Sequence, residues 1–167
     1  MSSLDTTPEA RSVLLVVLAV DATRISDWTA GALSDRLTRV LAELRTHHLT
    51  VSAVLWQQGE ADAQAGTGRE AYGAAMTRLI RRLRDDGVNS IMLLAKSTRC
   101  RNAGSPEVRE ALTQVTQHEP GVYVGPDTDE LGEDLRSDGC HLNSEGLQRA
   151  ANGWAEALGQ RGIVNLH

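Results

Sequence analysis

The chain has 167 residues, of which 41% are hydrophobic, 23% charged and 3% aromatic, with a net charge of −5. This length allows one domain to bury well over half of its extended surface, so folding requires no metal or disulfide framework. The balance of 17 basic against 22 acidic residues argues against a protein that tracks nucleic-acid phosphates, and no apolar run reaches the roughly 20 residues that span a bilayer.

Residues 1–12 (MSSLDTTPEARS) are polar and lack the charged-then-apolar layout of a signal peptide. They are read as a disordered or polar lead-in to a single α/β domain over 13–167, and they assign no compartment. Val13–Val20 (VLLVVLAV) is a continuous apolar run, which predicts a strand covered on both faces. Leu33, Leu37, Val40, Leu41 and Leu44 recur at helical spacing, predicting a helix over Ala32–Arg45. A second strand is expected at Ser52–Trp56, and a helix at Arg69–Arg84 with Tyr72, Met76, Leu79, Ile80 and Leu83 on one stripe. Ser90–Ala95 reads as a third strand and Pro106–His118 as a helix facing inward through Val108, Leu112 and Val115. Val122–Val124 is a short fourth strand before the loop at Gly125–Gly139. A last helix, about Ser144–Gly159, is expected to bury Leu147, Ala151, Trp154 and Leu158. With no Phe in the chain, the core must come from Leu, Val, Ile and Ala.

Strands and helices alternating at these intervals predict parallel strands joined by crossover helices. In such folds the ligand site lies at the carboxyl ends of the strands. The segments that follow the four strands are Asp21–Trp28, Gln57–Gly66, Lys96–Gly104 and Gly125–His141, and they hold most of the unusual polar residues.

The sharpest local signal is Asp138-Gly139-Cys140-His141. A carboxylate three residues before a histidine, in a turn, can accept a hydrogen bond from one imidazole nitrogen. The other nitrogen is then aimed at a nucleophile or water as a general base. The competing reading is a turn cap beside a helix start. The second signal is Gln57-Gln58-Gly59-Glu60-Ala61-Asp62, directly after a strand. Gly59 permits a tight turn or a close approach, and a Gln58 amide there can donate to a developing oxyanion. The competing reading is a solvated loop with its acids near the next helix's amino end.

Taken together, VLWQQGEADA and DGCHLNSEGL resemble the third and last conserved blocks of the SGNH hydrolases, in the sialate O-acetylesterase-like branch of carbohydrate esterases. VLLVVLAVDATRISDW resembles the second block's surroundings, where members read V-A-x-G-G-T/S-x-x-x-W. The resemblance runs from Val13 to Leu158. It implies a three-layer flavodoxin-like parallel sheet with helices on both faces, and cleavage of O-acyl, often O-acetyl, esters of carbohydrates through an acyl-enzyme. His141 would be the general base and Asp138 its orienting carboxylate. Gln58, Gly59 and Glu60 would line the oxyanion and substrate side together with Ala22 and Thr23. No cofactor or metal is required. The partner is a small-molecule or carbohydrate ester, with no nucleic acid and no membrane.

The departure lies upstream. The family's nucleophilic serine belongs to a first block, G-Q-S-N or G-D-S, which none of residues 1–12 spell; Ser2, Ser3 and Ser12 sit outside any strand-to-helix turn. Asp21-Ala22-Thr23 also stands where Gly-Gly-Thr is usual, which restricts the backbone at Ala22 and adds a charge beside the oxyanion site. In the flavodoxin-like order the missing first strand lies between the second and third strands, so its neighbours lose their ladder partners. Such a chain re-pairs its strands, self-associates through them or is marginal. It is therefore expected to be an amino-terminally truncated or mis-started esterase, inactive as it stands. The alternative is a non-catalytic carbohydrate-binding or interaction relic of the same fold. Cys100 and Cys140 fall at the same rim of the sheet, where a disulfide and two free thiols are both compatible with the sequence.

Overall fold

The structure, a computed structural model, describes residues 13–101 and 103–163. The polar lead-in at 1–12 lies outside the described residues. Three strands, β1 (Ala53–Trp56), β2 (Ile91–Lys96) and β3 (Val122–Asp127), form a parallel sheet in the order β1-β2-β3. Val54 stands opposite Met92, and Leu93 opposite Tyr123. The central strand is dry: Met92, Leu93, Leu94 and Ala95 are all buried, as a continuous apolar run in a parallel sheet should be.

The helices are α1 (Ile25–Thr29), α2 (Gly31–Thr46), α3 (Glu60–Gln64), α4 (Arg69–Asp85), α5 (Pro106–His118) and α6 (Ser144–Gly159). Alternation along β2 sends Met92 and Leu94 to one face. There they join the stripes expected from the sequence: Tyr72, Met76, Leu79, Ile80 and Leu83 of α4, and Val108, Leu112 and Val115 of α5. Leu37 and Leu41 of α2 complete that core. Leu93 and its register partner Tyr123 face the other way, toward the end of α6, where the Arg161 guanidinium stacks 4.0 Å over the Tyr123 ring.

Two sequence expectations are corrected here. Val13–Val20 enters no β-bridge. Val13, Leu14, Leu15, Val16 and Val17 are 72, 67, 74, 49 and 75% exposed, and only Leu18 packs against the core. Strand composition is not enough, because a strand exists only where a neighbour takes up its N–H and C=O groups. Among the described residues no strand does so for this segment, while β1 ends the sheet with Leu55 40% exposed.

The second correction concerns α6. Leu147 is 59% exposed and Ala151 is exposed, whereas Gly146 and Ala150 are buried. The helix docks through its small residues. A Cβ on Gly146 would lie 2.3 Å from the Leu135 carbonyl oxygen, and one on Gly153 would lie 2.8 Å from Pro126. Close backbone approach, rather than a leucine stripe, therefore sets the buried face.

Candidate active site

The loops at the carboxyl ends of the strands converge around a hairpin closed by an antiparallel bridge between Arg136 and Leu142. The Ser137 N–H donates to the His141 carbonyl at 2.8 Å, and Gly139 takes the left-handed φ of 78° that the tip requires. This turn presents Asp138 to its own hairpin. Asp138 Oδ1 accepts the N–H groups of Cys140 (2.9 Å) and His141 (2.7 Å), and Oδ2 accepts His141 Nδ1–H at 2.7 Å. The turn-cap and base-orienting readings are therefore not exclusive, since one carboxylate oxygen caps the turn and the other bonds the imidazole.

The hydrogen bond from His141, with those from the two backbone N–H groups, holds the Asp138 carboxyl far below the usual carboxylate range. The same bond and the charge of Asp138 raise the His141 imidazole above its ordinary value, with smaller contributions from Asp21 and Glu60. His141 Nε2 has no hydrogen-bond partner among the described residues, and the side chain is 66% exposed.

The turn after β1 is held differently from what its sequence implies. Gln58 Nε2 donates to the Thr23 carbonyl at 2.9 Å and to Asp62 Oδ2 at 2.7 Å, while Oε1 accepts the Tyr72 hydroxyl at 3.0 Å. Both amide protons are thus committed, and Gln58 tethers the Thr23 segment to β1. Gly59 allows a close approach, but to protein: a Cβ there would lie 2.6 Å from the Ser97 carbonyl oxygen. Glu60 accepts Ser97 Oγ–H at 2.6 Å and the Gly59 N–H at 3.1 Å, tying the turn to the end of β2.

In the segment after Val20, Ala22 adopts φ 55°, the left-handed conformation that favours glycine, and its N–H donates to Asp21 Oδ1 at 2.8 Å. Thr23 Oγ1 donates to the Val20 carbonyl and accepts Trp28 Nε1–H at 3.1 Å. Trp28 in turn meets Trp56 edge to face, with centroids 6.0 Å apart.

Three groups tie the loops together through partners distant in sequence. Asp62, 1% exposed, accepts Ile25 N–H (2.8 Å), Gln58 Nε2 and Thr67 Oγ1 (2.7 Å), and so pins α1 to the turn after β1. Asp129 receives the backbone N–H groups of Thr98 and Arg99 and an ion pair from Arg109, which also grips Asp127. Burial alone would raise the Asp129 carboxyl, but the hydrogen bonds from Thr98 and Arg109 hold it below its ordinary value. Arg136 is buried beneath the hairpin. From the sequence, Asp62 reads as an acid near a helix start and Asp127 and Asp129 as residues that shape the loop before Asp138, while Arg136 carries no signal, because a lone Arg in a polar loop reads as solvated. Cys100 and Cys140 are joined, linking the loop after β2 to the residue before His141.

The structure thus combines a parallel α/β architecture with an Asp–His pair at the rim of its sheet. The family described as "Carbohydrate esterase, sialic acid-specific acetylesterase" matches residues 2–160. The chain belongs to that family. A protein of Arabidopsis thaliana named "Probable carbohydrate esterase" is 33% identical over 133 residues, covering 78% of this chain and 49% of its own length. The chain thus spans about half the length of that curated relative. Among solved structures, a carbohydrate esterase family 3 protein from Talaromyces cellulolyticus superposes with a TM-score of 0.65 at 15% identity, covering 87% of this chain and 70% of that one. A serine-to-alanine mutant of an acetyl esterase holding an acetate ion gives 0.64 at 16% identity, covering 84% and 68%. These two likenesses establish that the chain shares their fold, a parallel sheet with helices packed on it.

Proposed function

We propose that this chain supplies the base half of a carbohydrate O-acyl esterase, acting on O-acetyl groups. In this reading His141 takes the proton of a serine hydroxyl and Asp138 fixes the imidazole tautomer and stabilises the imidazolium that forms. The single observation that carries the reading is the 2.7 Å bond from His141 Nδ1 to Asp138 with Nε2 left unpartnered among the described residues. Family membership supports the ester substrate. The serine, in this reading, arrives on a strand seated against the open edge of β1. The exposure of Val13–Val17 and of Leu55 supports that placement.

A second reading, a non-catalytic carbohydrate-binding relic, is favoured by one specific feature: the Ala22 N–H is already capped by Asp21. One experiment separates the two. The chain alone, and the chain extended at its amino end by an apolar strand ending in Gly-Gln-Ser, are offered an acetylated sugar and a serine-reactive fluorophosphonate. The esterase reading expects no turnover or labelling without the strand, and both with it. Turnover by the chain alone contradicts the external serine. Sugar-ester binding without hydrolysis in the extended chain establishes the relic.

A further inference from the structure

Arg136 is 8% exposed and pairs with no carboxylate among the described residues. Instead its guanidinium is spread over backbone carbonyls. Nε donates to Leu131 (3.3 Å), Nη1 to Arg99 (3.3 Å) and to Cys140, and Nη2 to Thr128 (2.8 Å). Four of the five N–H donors of an arginine are thereby used. The acceptors come from three separate pieces of chain: the loop after β2, the turn after β3, and the hairpin that ends in His141. A buried cation is costly unless every donor finds an acceptor. Only a planar, forked cation reaches carbonyls in several directions at once, so lysine is no substitute here.

The position of Arg136 matters as much as its contacts. It is the hairpin's first bridging residue, opposite Leu142, and it grips the carbonyl of Cys140, whose amide-linked neighbour is His141. The loop after β2 adds a parallel tie, with Arg101 N–H donating to the Gly139 carbonyl at 2.7 Å. We infer that Arg136 is a positioning residue: it fixes the hairpin's shape so that the His141 ring stays on Asp138 with its free nitrogen turned outward. The consequence for catalysis rests on the reading of His141 as the base, but the geometric claim does not.

The test uses nuclear magnetic resonance of the intact chain, with His141 assigned through His141→Gln. Arg136→Lys and Arg136→Gln are compared with the wild type once circular dichroism and gel filtration show the same fold. Expected in both variants is loss of the strongly deshielded Nδ1 proton of His141, and a downward move of its titration midpoint toward the ordinary imidazole value. If His141 titrates as in the wild type in both variants, and changes only in the Cys100→Ser/Cys140→Ser double variant, the assignment is overturned and the disulfide holds the ring.

Should the substitutions unfold the chain, heating the wild type decides the matter. The Arg136 guanidinium signals and the His141 Nδ1 proton are expected to vanish together below global unfolding. A His141 proton that survives free rotation of the guanidinium overturns the proposal. These readouts involve no turnover, so failure of the esterase reading leaves them intact and distinguishable.

Discussion

Ile91–Lys96 and Val13–Val20 are nearly the same kind of sequence, short aliphatic runs that each lead into a loop at the candidate site. Their fates are opposite. The first is the dry centre of the sheet and feeds the loop bonded to the hairpin of His141. The second pairs with nothing described and carries the Asp21–Thr23 turn. The two halves of the site inherit this difference. The His141 half is fixed by a disulfide, a buried arginine and a carboxylate that accepts bonds at both oxygens. The Ala22 half is held by side chains of other elements, chiefly Gln58 bonded to Thr23, Asp62 bonded to Ile25 and Trp56 packed on Trp28. A strand, and the geometry of the loop after it, is a property of its neighbours before it is a property of its own residues.

The largest expected effects fall on the base half. In the serine-bearing extended protein, His141→Ala should lower kcat by roughly 10⁴-fold or more, by comparison with triad deletions; a near-normal rate in steady-state assays removes the assignment. Asp138→Asn should also lower kcat steeply and, in addition, shift the pH profile. A base works deprotonated, and Asp138 raises His141 above its ordinary value, so the acid limb of kcat/KM should lie above ~6.5 in the parent and move down in the variant. The same shifts have a stability sign. The raised His141 contributes stability that is present below its ordinary value and lost as pH rises through the folded one. The depressed Asp138 contributes stability that is present above the carboxylate range and lost on strong acidification.

The next effect sharpens the strand comparison directly. Leu93→Ala, at a side chain with no exposure, should destabilise the fold by about 2–5 kcal/mol. Leu15→Ala, at 74% exposure, should stay within about 0.5 kcal/mol. Urea unfolding of both variants checks the pair. Equal losses would mean that Val13–Val20 is packed in solution.

Much of this contrast could be read in the sequence, and the reasons are physical. The stripes of α4 and α5 were legible because helical periodicity sorts residues by face without reference to distant partners. The Asp138–His141 pair was legible because a three-residue turn fixes its own geometry. Gln58 was not: its amide could serve an oxyanion or the protein, and only the position of Thr23, 35 residues away, decides. Arg136 was invisible for the same reason, because its partners are backbone groups, and backbone groups leave no mark on composition; Asp62 could be read only as an acid near a helix start, with no sign of its partners at Ile25, Gln58 and Thr67. Leu147 misled because α6 is docked by what its glycines lack.

The smallest effect lies at Asp21. Its carboxylate accepts the N–H of Ala22 and stands close enough to His141 to favour the imidazolium. Both influences oppose a second negative charge at the same place, which an acyl-transfer intermediate would bring. Asp21→Gly removes the charge, frees the Ala22 N–H and eases the turn in front of a residue held at φ 55°. In the extended protein it should raise kcat by about tenfold, less than the roughly 10²–10³ attributed to a complete oxyanion donor. KM should change little, since the gain is confined to the transition state. Asp21→Asn separates the two causes: it keeps an oxygen able to cap Ala22 while deleting the charge. Recovery in Asp21→Gly alone assigns the effect to the cap, equal recovery in both assigns it to charge, and recovery in neither takes Ala22 out of the oxyanion site.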